Sequence, residues 1–148
     1  MNSSTGIQGE GVATDGRGPV ATKPQESVLV VEDSVDLLYA IQDLLEGEGY
    51  DVFPATHGKQ AIDFLTALRE KRPELVVLDL MLPIMSGWDV LREMRLHRRL
   101  DTIPVLVMTA STKTKPEGAA AMLRKPFTLE AFMSAVRATS RGPVSDQA

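Results

Sequence analysis

The sequence contains no cysteine, and its only histidines are His57 and His97. The first absence excludes a disulfide framework and thiolate metal ligation. With so little imidazole a zinc cluster is not supported either. No apolar run reaches the length of a membrane span. The net charge of −4 carries no excess of positive charge of the kind nucleic-acid binders use. The N-terminal MNSSTGIQGEG has neither a basic leader nor an apolar core, so it does not read as a secretory signal. No Gly-rich loop follows the first apolar run, which removes the nucleotide-binding reading. A cytoplasmic protein without membrane or nucleic-acid partners is expected. What is present suffices for one ordinary domain with a core: 148 residues, 43% of them apolar.

Residues 1–26 hold five of the eleven glycines and few bulky apolar side chains, and are expected to form a flexible arm. From Ser27 onward, apolar runs alternate with helical patterns. Ser27–Glu32 reads as a strand. Ser34 can cap a helix whose inner face is Val35, Leu38, Ile41 and Leu45, ended by Gly47 and Gly49. Tyr50–Pro54 is a short strand, with Pro54 suited to an edge. Gly58–Lys71 is a helix with Ala61, Ile62, Leu65 and Leu68 inward, stopped by Arg72 and Pro73. Another strand runs into Asp79, and a helix follows from about Ser86 to His97. A strand from Ile103 reaches Thr109, and a short one begins near Ala120. The last helix covers Thr128–Ser140, with Leu129, Phe132, Met133 and Val136 inward. The polar residues 142–148 are a tail. Such alternation implies parallel βαβ units and a doubly wound sheet.

The chain is organised around Glu74–Gly87, ELVVLDLMLPIMSG. Leu75–Leu78 is uninterrupted, as a strand buried on both faces is. Asp79 ends it, and Pro83 and Gly87 then break the chain. Two further runs end alike: Val28–Val31 in Glu32 and Asp33, and Val105–Met108 in Thr109. The segment AAAMLRKPF ends in Lys125 and Pro126. Ligands bind beyond the carboxyl ends of strands in open parallel sheets, so three acids, a hydroxyl and an amine should converge there. Clustered carboxylates repel and call for a cation, and hard oxygen ligands suit Mg²⁺. The plainer alternative, acids capping helices, accounts for Asp33 but not for Asp79 or Lys125. The arginines of the third helix, Arg92, Arg95, Arg98 and Arg99, lie opposite an inner stripe of Val90, Leu91 and Met94 and read as solvent-facing.

The series VVEDS, VVLDLMLPIMSG, VMTA and RKPF, in this order and spacing over about Ser27–Arg141, resembles the receiver domain of two-component response regulators. The resemblance implies a flavodoxin-like five-stranded parallel sheet of order 2-1-3-4-5, which would make Glu32, Asp33 and Asp79 neighbours. It implies that Asp79 accepts a phosphoryl group from a histidine kinase or histidine phosphotransfer protein. Mg²⁺ would be held by Asp33, Asp79, the backbone carbonyl of Met81 and, partly through water, Glu32. Thr109 and Lys125 would contact the phosphoryl oxygens, and Lys125-Pro126 would be a cis peptide. The family tunes phosphoryl lifetime at positions that here are Met81 and Ser111. Neither ionises, so slow self-dephosphorylation is expected. No enzyme activity beyond the domain's own phosphorylation and dephosphorylation is implied. A monomer or weak dimer acting on a downstream protein target that the sequence does not identify completes the expectation.

Two features depart from the pattern. Only nine residues, 111–119 (STKTKPEGA), separate Ala110 from the fifth strand, where receivers fit a helix. Nine helical residues span ~14 Å, whereas returning along a strand needs ~17–20 Å plus turns. An extended segment reaches ~30 Å, so the fourth helix of the pattern should be missing. Met122 stands where receivers often carry an aromatic switch residue. The crossover is therefore expected to respond to phosphoryl capture by ordering. The chain ends soon after the last helix, so a stand-alone receiver is expected. The rivals are a binding-only receiver, favoured by the short crossover, and a Mg²⁺-dependent aspartyl phosphohydrolase. The latter wants a second acid where Met81 stands.

Overall fold

The computed structural model describes residues 26–68 and 72–140. All but Glu26 of the expected N-terminal arm, and all of the polar tail, lie outside the described residues. Strands and helices alternate as β1 (Ser27–Val31), α1 (Val35–Gly47), β2 (Asp51–Ala55), α2 (Gly58–Ala67), β3 (Leu75–Asp79), α3 (Gly87–Leu96), β4 (Val105–Thr109), β5 (Ala121–Arg124) and α4 (Leu129–Ser140). The five strands form one sheet in the order β2-β1-β3-β4-β5, and every neighbouring pair is parallel. This is the flavodoxin-like order expected. β1, β3 and β4 are buried at every position because helices cover both faces. Pro54 sits on edge strand β2 opposite Val30, where a missing N–H costs the sheet least.

One face packs under α1 and α4 around Leu38, Ile41, Leu45, Phe132, Met133 and Val136. The other packs under α2 and α3 around Ala61, Leu65, Val90, Leu91 and Met94. The helix starts follow local chemistry. Ser34 Oγ accepts from Leu37 N at 3.4 Å, and Ser86 Oγ accepts from Asp89 N at 3.2 Å. His57 caps α2 through Nδ1, accepting from Gln60 N at 3.1 Å.

Three expectations need correction. Val35 and Leu129, read as inward, are 47% and 48% exposed. Each is the first residue of a helix, at the carboxyl rim of the sheet, where the strands no longer extend beneath the first turn. α2 ends at Ala67, because Leu68 turns to an extended ψ of 141°; residues 69–71 lie outside the described residues. β4 begins at Val105, two residues after Ile103, although Ile103 remains in the core.

The crossover between β4 and β5 contains no helix, as its length requires. It covers the outer part of the α2/α3 face with little apolar surface: Pro116 and Ala119 are buried, and Met122 of β5 packs against the same core. Gly118 adopts φ +98°, and a Cβ there would meet Arg95 Cδ at 2.7 Å. Arg95 of α3 also pairs with Glu117 at 3.4 Å, so α3 holds the crossover where a helix would otherwise pack. Arg92 pairs with Asp89 on its own helix, and Arg98 and Arg99 are exposed.

Candidate functional site

The sheet order places β1 and β3 side by side with their connections leaving in opposite directions, which opens a crevice at their carboxyl ends. β1 delivers Glu32, 1% exposed, followed by the exposed Asp33. β3 delivers Asp79 at 4%, and β4 delivers Thr109 with no exposure at all. Carboxylate oxygens of Glu32, Asp33 and Asp79 all lie within 4.8 Å of one another. Lys125, just after β5, reaches across the mouth of the sheet. Its Nζ donates to Glu32 Oε1 at 2.9 Å and to Asp79 Oδ2 at 3.0 Å. The Lys125-Pro126 peptide is cis, as the resemblance implied.

The remaining oxygens of the two buried acids are also engaged. Glu32 Oε2 accepts from Ser34 N at 3.0 Å, and Asp79 Oδ1 accepts from Met81 N at 3.1 Å. The site thus sets one ammonium against three carboxylates, two of them buried and the third, Asp33, exposed. Burial pushes the Glu32 carboxyl above its ordinary value, and the nearby Asp79 charge adds to this, against the lowering effect of the bonds from Lys125 and Ser34. Burial alone would lower Lys125, but its bonds to Glu32 and Asp79 outweigh it and the ammonium is held above its ordinary value. The donor set fits a divalent cation: hard oxygens, closely spaced, with negative charge left over after the lysine is counted.

The loop from β3 to α3 is fixed by close backbone packing. Gly87 N donates to Leu80 O at 2.9 Å, and a Cβ on Gly87 would lie 2.3 Å from Asp79 O. Only glycine lets α3 begin directly against the end of β3. Large apolar side chains are exposed here: Met81 (61%) and Ile84 on the loop, and Trp88 in the first turn of α3.

The crevice therefore brings together Glu32, Asp33, Asp79 and Lys125, with the backbone of Met81 against Asp79. Thr109 ends the adjacent strand, but its hydroxyl engages Ser111 instead of the acids. Thr109 Oγ1 accepts from Ser111 N at 3.0 Å and shares a 2.9 Å hydrogen bond with Ser111 Oγ. Sequence reasoning had Ser111 only as a non-ionising neighbour. A Ser two residues beyond a strand-ending Thr is the one available signal, because such hydroxyls bond backbone two residues on. An open cavity of about 420 Å³, lined by Leu37, Ala110, Lys125, Pro126 and Phe127, adjoins the crevice.

A doubly wound parallel sheet with an acidic crevice at its switch point and a lysine reaching in from the edge is the arrangement that the resemblance to receiver domains implied. Residues 28–137 match the response regulator receiver domain, and the chain belongs to that family. It is 39% identical over 123 residues to the DNA-binding response regulator MtrA of Mycobacterium tuberculosis, covering 79% of this chain and 51% of that protein. The chain thus spans about half the length of these curated relatives. It is 32% identical over 118 residues to sporulation initiation phosphotransferase F of Bacillus subtilis, covering 76% of this chain and 91% of that protein. The chemotaxis response regulator CheY4 of Vibrio cholerae superposes with a TM-score of 0.70 at 25% identity, covering 78% of this chain and 99% of that one. Receiver domains interact with histidine kinases and phosphotransfer proteins, in two-component signalling and phosphorelays. Among the described residues no helix is long and apolar enough to cross a membrane.

Proposed function

We propose that the chain takes a phosphoryl group onto Asp79 from the phosphohistidine of a histidine kinase or phosphotransfer protein. The observation that carries this reading is Asp79 itself, a buried carboxylate ending the central strand with Oδ2 3.0 Å from the Lys125 ammonium. In the step, an Asp79 oxygen attacks phosphorus in line, the new P–O bond forms, and the P–N bond to the donor imidazole breaks with its electron pair leaving on nitrogen. Lys125 draws the transferred oxygens inward, and its tie to Glu32 keeps the ammonium aimed into the crevice. The Thr109 hydroxyl donates to one phosphoryl oxygen. Glu32, Asp33, Asp79 and the Met81 carbonyl would hold Mg²⁺, which when bound neutralises charge on the phosphoryl oxygens. The apolar cavity beside Lys125, with exposed Val35 and Leu129 on the same rim, suits the docking of a donor protein. Since neither Met81 nor Ser111 can act as general base for water, the acyl phosphate is long-lived.

Acetyl phosphate with Mg²⁺ should add one phosphoryl mass to the wild type and none to Asp79→Asn, read by intact-mass analysis. Equal labelling of both proteins overturns the assignment. No labelling of either favours the second reading, a receiver fold kept as a binding module, whose support is the helixless crossover.

A further inference from the structure

The Thr109 oxygen that the proposed chemistry asks for already has two partners in the resting structure. Thr109 is fully buried, and both hydrogen bonds of its Oγ1 go to one residue, the backbone N–H and the hydroxyl of Ser111. It makes no hydrogen bond to Glu32, Asp79 or Lys125. Ser111 is exposed and is the first residue of the crossover that replaces a helix. A β-branched side chain moves between a few staggered wells and does not drift between them. A change of rotamer that swings the hydroxyl away from Ser111 towards the crevice breaks both Ser111 bonds together.

We propose that Ser111 is a positioning residue for phosphoryl capture: it holds the Thr109 hydroxyl towards the crossover, and capture has to release it. The inference rests on the phosphoacceptor reading of Asp79. It gives the site a route to the surface that does not need an aromatic ring, since Met122 stands on β5 opposite Val107. Thr109 is the last residue of β4, and Ser111 is the first tether of a segment whose other end is held by Arg95 at Glu117 and Gly118. Release of Ser111 loosens the start of the crossover. That is the opposite of the ordering expected from the length of the segment alone, and the Ser111–Thr109 bonds are the reason for the change of sign.

The test uses Mg²⁺ with beryllofluoride as a phosphoryl mimic, its affinity measured by calorimetry for wild type, Ser111→Ala and Ser111→Thr, each with Thr109 intact or changed to Ala. Removing one hydrogen bond that only the resting state makes should tighten mimic binding about three- to tenfold in Ser111→Ala. Ser111→Thr, which keeps the hydroxyl, should bind as the wild type does. In the Thr109→Ala background the Ser111→Ala change should have no effect, whereas a merely structural role would act in both backgrounds. Independently of any variant, hydrogen exchange at the Ser111 amide should accelerate when the mimic binds the wild type. Equal or weaker binding by Ser111→Ala, or a slower Ser111 amide, overturns the inference while leaving the phosphoacceptor reading intact. Failure of the wild type to bind the mimic at all overturns both.

Discussion

At the scale of single residues, Lys125 decides whether the metal-free crevice is tolerable. Glu32 and Asp79 are buried and both lean on its ammonium, so removing it leaves two like charges close together. Lys125→Met should destabilise the metal-free protein by about 3 kcal/mol in urea unfolding near neutral pH, the order seen when a buried pair loses one partner. The pH dependence has a definite sign. A lysine raised in the fold contributes stability that is fully present below its ordinary 10.5 and is lost as pH rises through the higher folded value. The wild type should therefore show an alkaline loss of stability above about pH 10.5 that is absent from Lys125→Met. Glu32 is also raised, so its contribution is present below 4.5 and fades as pH rises through its folded value. Lys125→Met should accordingly recover part of its loss in mild acid, as Glu32 takes up a proton. An unchanged alkaline limb in the variant would mean that another group titrates there. The place of Lys125 was legible from the short strand before it. Its bond to Glu32, 93 residues away, was not, because a chain shows which strand ends carry charge but not which charges touch.

At the scale of elements, the strands and helices were legible because apolar period and turn residues agree almost everywhere; Leu38, Ile41 and Leu45 are inward as the 3.6-residue period requires. The misses fall where the period continues past its support. Val35 and Leu129 keep the helical spacing but stand above the last residues of the sheet, so the pattern is apolar without being buried. The helixless crossover was legible from chain length alone, a geometric constraint independent of propensity. Gly87 shows a local rule reversed by packing. In an exposed helix, Gly→Ala gains about 1 kcal/mol, but here the added carbon would meet backbone, Asp79 O at 2.3 Å and Leu80 Cα at 2.6 Å. Neither atom can swing aside as a side chain would. Gly87→Ala should destabilise by about 2 kcal/mol or more and slow Asp79 phosphorylation by acetyl phosphate, because relief requires the end of β3 to move. A stabilised, fully active Gly87→Ala would show that the start of α3 is free to retreat.

At the scale of the whole molecule, the fold concentrates unfavourable charge at one edge of the sheet and makes the domain's stability answer to what binds there. The overall order of strands was legible only through four short motifs taken together, since any one of them is an apolar run ending in a polar residue; the βαβ rule then placed their ends on one edge. Asp33 is the acid to test this with. It is exposed, and Lys125 bonds the other two acids and not this one. In the metal-free state its charge only adds repulsion, partly screened by solvent. Asp33→Ala should thus melt at or slightly above the wild type in chelator, by less than about 1 kcal/mol. Added Mg²⁺ should reverse that order. A ligand at 100 times its dissociation constant stabilises the fold by about 2.7 kcal/mol, a rise of roughly 10 °C for a domain of this size. The wild type should show that rise and Asp33→Ala should not, so the two melting curves cross as Mg²⁺ is titrated. Thermal melts with and without Mg²⁺ decide the matter. An equal Mg²⁺ response in both proteins removes Asp33 from the ligand set. A variant that melts well below the wild type in chelator shows instead that Asp33 supports the start of α1.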